Sequence, residues 1–187
     1  MLGLKFTGKV PFKEVVITGL ICDSEGKKMS KSLKNYPPPE EVMNEFGADA
    51  MRLYLLSSPA TRGEDLRFSK AGVQQVVRQT LLPLWNAYNF LVTYAIADGW
   101  TPSDTPETAS SNLLDRWLLS KVGSLVNGVD QALSSYHLYA AAPSILEFVD
   151  QLTNWYIRLN RRRFWAGNTD AEKEDKFHAY ATLHRSL

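Results

Sequence analysis

Gly26-Lys27-Lys28-Met29-Ser30-Lys31-Ser32-Leu33-Lys34-Asn35 is the stretch on which the reading of this chain turns. Four lysines fall within eight residues, no acid lies among them, and two serines are interleaved. Such a run is ill suited to a packed core and well suited to a polyanion. Each lysine brings a mobile point charge with three donors. Backbone N–H groups beside a glycine can complete an anion-binding concavity. Taken alone, a lysine-rich loop is solvated surface, so its neighbours in sequence decide between the two readings.

Upstream, residues 14–22 form a β-branched, almost continuous apolar run, Glu14-Val15-Val16-Ile17-Thr18-Gly19-Leu20-Ile21-Cys22. This predicts a strand buried on both faces. Asp23-Ser24-Glu25-Gly26 supplies turn chemistry after it. No partner strand is legible elsewhere, so the run is expected to finish a parallel sheet whose other strands lie upstream. Downstream, Pro37-Pro38-Pro39 bars helix until about Glu40. A short helix should then end at Gly47, and a second should run over 49–57 before Pro59.

From Ser69, a plausible N-cap, apolar residues recur at helical spacing: Val73, Val76, Val77, Leu81, Leu84, Tyr88, Leu91, Val92 and Ala95. Pro83 inside this pattern predicts a kink, and Asp98-Gly99 closes it. Residues 100–110 read as a surface loop. A second long helix is expected over 112–133, with Leu114, Trp117, Leu118, Val122, Leu125, Val126 and Val129 inward. A third is expected over 138–163, with Ala142, Ile145, Val149, Leu152, Tyr156 and Leu159 inward, and one more over 170–183. Long helices with short connections predict an antiparallel bundle.

The end of the third helix is Asn154-Trp155-Tyr156-Ile157-Arg158-Leu159-Asn160-Arg161-Arg162-Arg163-Phe164-Trp165, with four arginines, four aromatics and no acid. Arginine forks match phosphate geometry and aromatic rings stack on unpaired bases. The arginine triplet 161–163 therefore reads as an RNA contact, with Arg158, Arg161 and Arg162 within one turn of each other, and Tyr156 reads as core. The competing reading is a cationic helix end complementing the dipole.

Lys28-Met29-Ser30-Lys31-Ser32 is identical to the KMSKS signature of class I aminoacyl-tRNA synthetases. The order strand, acidic turn, glycine, lysine loop, then Phe46-Gly47-Ala48-Asp49-Ala50-Met51-Arg52 also resembles that family. Leu114-Asp115-Arg116-Trp117-Leu118-Leu119-Ser120 resembles the helix that opens its anticodon-binding bundle. Ser32-Leu33-Lys34-Asn35-Tyr36-Pro37 and Trp155-Tyr156-Ile157-Arg158 look most like the isoleucyl branch, with the valyl, leucyl and methionyl branches as nearest competitors. The resemblance implies a mainly α fold: an antiparallel helical bundle preceded by a remnant of the Rossmann-type catalytic domain. It divides the chain into 1–35, the end of the catalytic domain with its lysine loop; 36–66, a short-helix connector in the stem-contact region; and 67–187, the anticodon-binding bundle.

The same resemblance implies ATP-dependent activation of isoleucine and its transfer to a cognate tRNA in the cytoplasm, with Mg2+ accompanying ATP. It assigns catalysis to Lys28 and Lys31, ATP binding to Gly19, Met29, Ser30, Lys31 and Ser32, and tRNA binding to Arg158, Arg161, Arg162 and Trp165. Gly19 would allow close backbone approach to ATP, and Met29 would leave its backbone to the base. The family's His-Ile-Gly-His signature is absent, and His137, His178 and His184 offer no metal-ligand spacing. No amino-acid pocket or proofreading domain is legible. The chain is therefore expected to be a C-terminal portion of a larger enzyme, inactive alone. The alternative is a stand-alone RNA-binding helical module.

Composition bounds these readings. The 187 residues suffice for a real core. With 44% hydrophobic and 22% charged residues and a net charge of +1, any nucleic-acid surface must come from local clustering. Cys22 is the sole cysteine, which excludes an internal disulfide or a multi-cysteine zinc site. No apolar run approaches the ~20 residues of a membrane helix, and a membrane partner is not expected.

Overall fold

The chain turns helical where its capping residues stand. The computed structural model describes residues 2–167 and 169–187. After a short helix α1 (Leu2–Thr7), α2 (Pro39–Phe46) starts on a proline whose missing N–H costs nothing in a first turn. Gly47, at φ +90°, separates it from α3 (Ala48–Leu56). Helix α4 (Lys70–Val76) is capped by Ser69, whose Oγ accepts from the Gly72 N–H at 3.1 Å. It runs through a π-helical turn, Val77–Leu81, into α5 (Leu82–Asp98), which ends on left-handed Gly99. The widened turn sits directly before Pro83, where a regular ladder would lose a donor. Asn112 caps α6 (Leu113–Ser134) through the Leu114 N–H. Helix α7 (Leu138–Asp150) turns back along α6 and continues through a second π-helical stretch, Gln151–Ile157, into α8 (Arg158–Trp165). A capping box between Thr169 and Glu172 opens α9 (Asp170–Ser186).

These helices bury two apolar clusters. The larger joins α5, α6, α8, α9 and the second π segment around Leu91, Leu118, Leu152, Tyr156, Phe164 and Tyr180. The smaller joins α2, α3 and α4 around Val42, Ala50, Phe68 and Val73, with Met29 of the lysine loop packed against it. Helices α4 and α5 form one rod that serves both clusters: Val73, Val77 and Leu81 pack in the small one, Leu84, Ala87 and Leu91 in the large one.

The π turns correct the predicted stripes. A π turn adds a residue and rotates the helical face beyond it. Past the first one Leu84, Leu91 and Ala95 keep the predicted side, but Ala87 is buried in place of Tyr88, which is exposed. After the second π segment Ile157, Asn160 and Phe164 face inward, while Leu159 is 57% exposed. Ile145 and Val126 are exposed as well.

The strand predicted over 14–22 shrinks to β1 (Ile21–Cys22), which pairs in parallel with β2 (Leu66–Arg67). Val15, Val16, Ile17 and Leu20 are exposed, Ile17 by 76%. A β-branched run forms a ladder only where a neighbouring edge offers donors and acceptors; the edge available here is two residues long. Residue 66 carried no strand signal in the sequence, because a two-residue strand has no period to read.

Candidate nucleotide and nucleic-acid sites

The lysine loop is tied at its root. Asp23 Oδ1 accepts from the Glu25 and Lys27 N–H groups at 3.0 and 2.9 Å, closing the acidic turn. Lys28 bridges back to Cys22, and the Met29 N–H donates to the Ile21 carbonyl at 3.1 Å. Asn35 reaches across the loop: its Nδ2 donates to Asp23 Oδ2 at 2.7 Å and to the Lys28 carbonyl at 3.3 Å, and its Oδ1 accepts from the Ser30 N–H at 3.0 Å. Ser30 Oγ accepts from the Leu33 N–H and lies 3.2 Å from Ser32 Oγ. The hydrogen bond from Asn35, then those from the Lys27 and Glu25 amides, hold the Asp23 carboxyl below the usual carboxylate range.

Above this scaffold Lys28, Lys31 and Ser32 are exposed, while Met29 and Ser30 are half-buried. Among the described residues neither Lys28 nor Lys31 is in an ion pair; Lys27 instead pairs with Glu25 at 3.0 Å. A cavity of about 390 Å³ opens beside the loop, and Lys28, Ser30, Lys31, Ile21, Val42 and Phe68 are among the residues that line it. A lining of ammonium groups and apolar side chains can take a ligand with an anionic end and an apolar body.

Two expected roles change. A Cβ built on Gly19 would lie 1.8 Å from the Glu64 carbonyl oxygen, and the Gly19 N–H donates to Ala60 at 2.9 Å. Its lack of a side chain therefore serves the chain's own 60–64 loop rather than leaving room for ATP. The Met29 N–H is spent on Ile21, so it is not available to a base, and the side chain packs on the small cluster.

At the far end, the arginine triplet divides. Arg163 is structural: its side chain is 13% exposed and it donates to both oxygens of Asp115, at 2.7 and 2.9 Å, and to Asp175. Asp115, fully buried, also accepts from Tyr156 Oη at 2.7 Å and Ser110 Oγ at 2.6 Å. Burial pushes the Asp115 carboxyl up, but the hydrogen bonds from Arg163, Ser110 and Tyr156 outweigh it and hold it low. Tyr156, buried and facing that carboxylate, is pushed well above its ordinary value. The core expectation for Tyr156 holds and the RNA expectation for Arg163 does not. No local pattern could have paired residues 48 positions apart.

Arg158, Arg161, Arg162 and Trp165 are exposed, with Trp155, at 60%, one turn before Arg158 and Leu159. Spacing of three and four residues lines Trp155, Arg158, Arg162 and Trp165 along one outer stripe of the helix. Among the described residues none of these three arginines is in an ion pair. The stripe has a flat ring at each end and two guanidinium forks between them, the combination that contacts bases and phosphates.

Among the described residues no group of three or more His, Cys, Asp and Glu could hold a metal ion, and the loop's donors are ammonium and hydroxyl groups. The residues present do not fit Mg2+. No described helix is long and apolar enough to cross a membrane.

Residues 1–69 match the family model of tRNA synthetases class I (I, L, M and V), and residues 115–187 match that of the anticodon-binding domain of tRNA ligase. Over all of its length the chain is 45% identical to an isoleucine–tRNA ligase of Bdellovibrio bacteriovorus. It is 49% identical over 94% of its length to one of Protochlamydia amoebophila, and 44% over 90% to the cytoplasmic isoleucine–tRNA ligase of Saccharomyces cerevisiae. It spans 16–17% of the length of these relatives. Among solved structures, LeuRS of Agrobacterium radiobacter in complex with tRNA and LeuAMS shares the fold, with a TM-score of 0.63, 21% identity, and coverage of 90% of this chain and 20% of that one.

Proposed function

Because this chain belongs to the class I tRNA synthetases, we propose that it is the lysine-loop and anticodon-bundle segment of an isoleucine–tRNA ligase. The parent enzyme joins isoleucine to ATP and passes the aminoacyl group to a cognate tRNA in the cytoplasm. Residues 1–35 end the catalytic domain, 36–66 connect it to the tRNA stem region, and 67–187 form the bundle. Within the activation step the substrate carboxylate attacks the α-phosphate and pyrophosphate leaves. Negative charge grows on the departing phosphates. Lys28 and Lys31 meet that charge, and positioned cations are the main source of rate in phosphoryl chemistry. Ser30 and Ser32 hold the loop's shape or donate to phosphate. Met29 keeps the loop's root close to β1, beside the nucleotide, and Gly19 lets the 60–64 loop pack against the segment that leads into β1. Mg2+ accompanies ATP.

The observation that carries this reading is the position of Lys28 and Lys31: both are exposed, both line one cavity together with apolar side chains, and among the described residues neither is in an ion pair. Arg158, Arg161, Arg162 and Trp165 take the tRNA, on the strength of their exposure along and beside one outer stripe of the helix. The test is binding of isoleucine-accepting and non-cognate tRNA transcripts to the chain, with and without the Arg158→Ala and Arg162→Ala substitutions. Tighter binding of the isoleucine-accepting transcript, with affinity for every transcript lowered in the variants, supports the reading. Equal binding of all transcripts, unmoved by the substitutions, favours a general helical RNA-binding module.

A further inference from the structure

We propose that Asp23 and Asn35 form a positioning pair that sets the aim of Lys28 and Lys31, a proposal that rests on the nucleotide reading of the loop. Neither residue touches the ligand in this account; both act through the backbone.

The geometry has three parts. Asn35 grips the loop on either side of Met29, taking the Ser30 N–H with Oδ1 and giving Nδ2 to the Lys28 carbonyl, at 3.0 and 3.3 Å. The backbone of one lysine and the residue before the other are thus held by a single amide. Asn35 is itself held by Asp23, through the 2.7 Å bond from Nδ2 to Oδ2. Asp23 is anchored at the end of β1 by the two amides of its own turn, from Glu25 and Lys27. Between Ser30 and Asn35 the chain reverses, with the Lys34 N–H donating to the Ser30 carbonyl at 3.1 Å and Lys34 in a left-handed conformation at φ +48°. Lys31 sits in this reversal, so its direction follows from the clamp.

The chemistry of the pair suits that task. A carboxylate accepting from an amide is a charge-assisted bond, stronger and more directional than one between neutral groups. An asparagine offers both a donor pair and an acceptor, and each is used here. Long lysine side chains remain mobile, but the points from which they swing are fixed. Fixing those points in advance lowers the ordering cost of meeting a triphosphate. Of the nearby charges, Lys27 acts on Asp23 and is itself paired with Glu25, while the Arg67 guanidinium of β2 lies against Gly26.

The test is isoleucine-dependent exchange of pyrophosphate into ATP by the full-length enzyme. It compares Asn35→Ala, Asn35→Asp, Asp23→Asn and the swap Asp23→Asn/Asn35→Asp, with Lys31→Ala as control. Asn35→Asp sets two carboxylates face to face. Asp23→Asn forces the new amide to choose between Asn35 and its own turn. The swap restores one amide–carboxylate bond with its direction reversed and keeps an acceptor for the Ser30 N–H, but leaves the Lys28 carbonyl without its donor. The expected result is a fall of about 10- to 100-fold in kcat for each single variant, with the isoleucine KM and the unfolding midpoint unchanged, and recovery of part of the loss in the swap. Wild-type kcat in the single variants overturns the proposal, as does a swap no better than Asn35→Asp. Where a single variant also unfolds early, the swap decides. A wild-type enzyme without exchange overturns the nucleotide reading and this proposal together; a slow Lys31→Ala beside wild-type Asn35 variants overturns this proposal alone.

Discussion

Arg163 lays its guanidinium across the carboxylate of Asp115, Nη1 to Oδ1 at 2.7 Å and Nη2 to Oδ2 at 2.9 Å, joining α8 to the first turn of α6. Asp115 has no exposure to water and depends on this partner, together with Tyr156 and Ser110, to remain charged. Removing one member strands the other in a dry interior. Arg163→Ala is therefore expected to cost ~3–5 kcal/mol of bundle stability. Arg163→Lys should recover only part, since an ammonium cannot make the forked contact. Urea unfolding of the chain checks both. A loss under about 1 kcal/mol, the range of surface pairs, would move Arg163 to the surface.

The same carboxylate gives the fold a dependence on acid. Net of the burial that raises it, its bonding to Arg163, Ser110 and Tyr156 keeps the folded value below the unfolded one. A free aspartate titrates at about 3.9. The stabilisation is therefore fully present above that value and is lost as the pH falls through it toward the lower folded value. Unfolding followed from about pH 5 down to about pH 2 should show a declining stability limb, shallower in Asp115→Asn. An identical slope in the variant would assign the limb to other carboxylates, Asp23 among them.

Outside the bundle the exposed arginines should behave as phosphate contacts. Replacing Arg158, Arg161 or Arg162 by alanine should each flatten the dependence of log tRNA affinity on log salt by roughly 0.7–0.9. Fluorescence titration at several salt concentrations measures it. A wild-type slope in all three variants would leave the stripe without nucleic acid.

The helices were largely legible because their ends carry chemistry that acts over three or four residues: Ser69 as a cap, Gly47 and Gly99 as stops; Pro39, read as barring helix, instead opens one. The KMSKS match and the exposed arginines were legible for the same local reason. The faces were less so. The π turn at 151–157 advances the phase without leaving a mark in the spacing, which is why Leu159 was assigned inward, and at Tyr88 the smaller neighbour Ala87 takes the inward place. The apolar run at 14–22 has the composition of a strand, but a strand is a relation between two segments, and β2 offers only Leu66 and Arg67. The links that set the site, Asp23 to Asn35 across 12 residues and Asp115 to Arg163 across 48, depend on how the chain folds back.

Gly19 is a place where that folding back can be tested. With the Glu64 carbonyl oxygen 1.8 Å from where a Cβ would stand, Gly19→Ala must push the 60–64 loop away. A cost of ~1–3 kcal/mol is expected, together with faster amide exchange at Leu66 and Phe68, whose N–H groups bond Leu20 and Cys22. Unchanged exchange there would mean that the loop yields without disturbing β1.

The central claim is that the loop's cations act on the phosphates as they depart. Its most direct test is single-turnover formation of the aminoacyl adenylate by the full-length enzyme carrying Lys31→Ala. The account requires the rate at saturating ATP to fall on the order of 10²-fold or more, the loss expected on removal of a transition-state donor. A wild-type rate, with only a raised KM for ATP, would show that Lys31 merely helps hold the nucleotide and would contradict the claim.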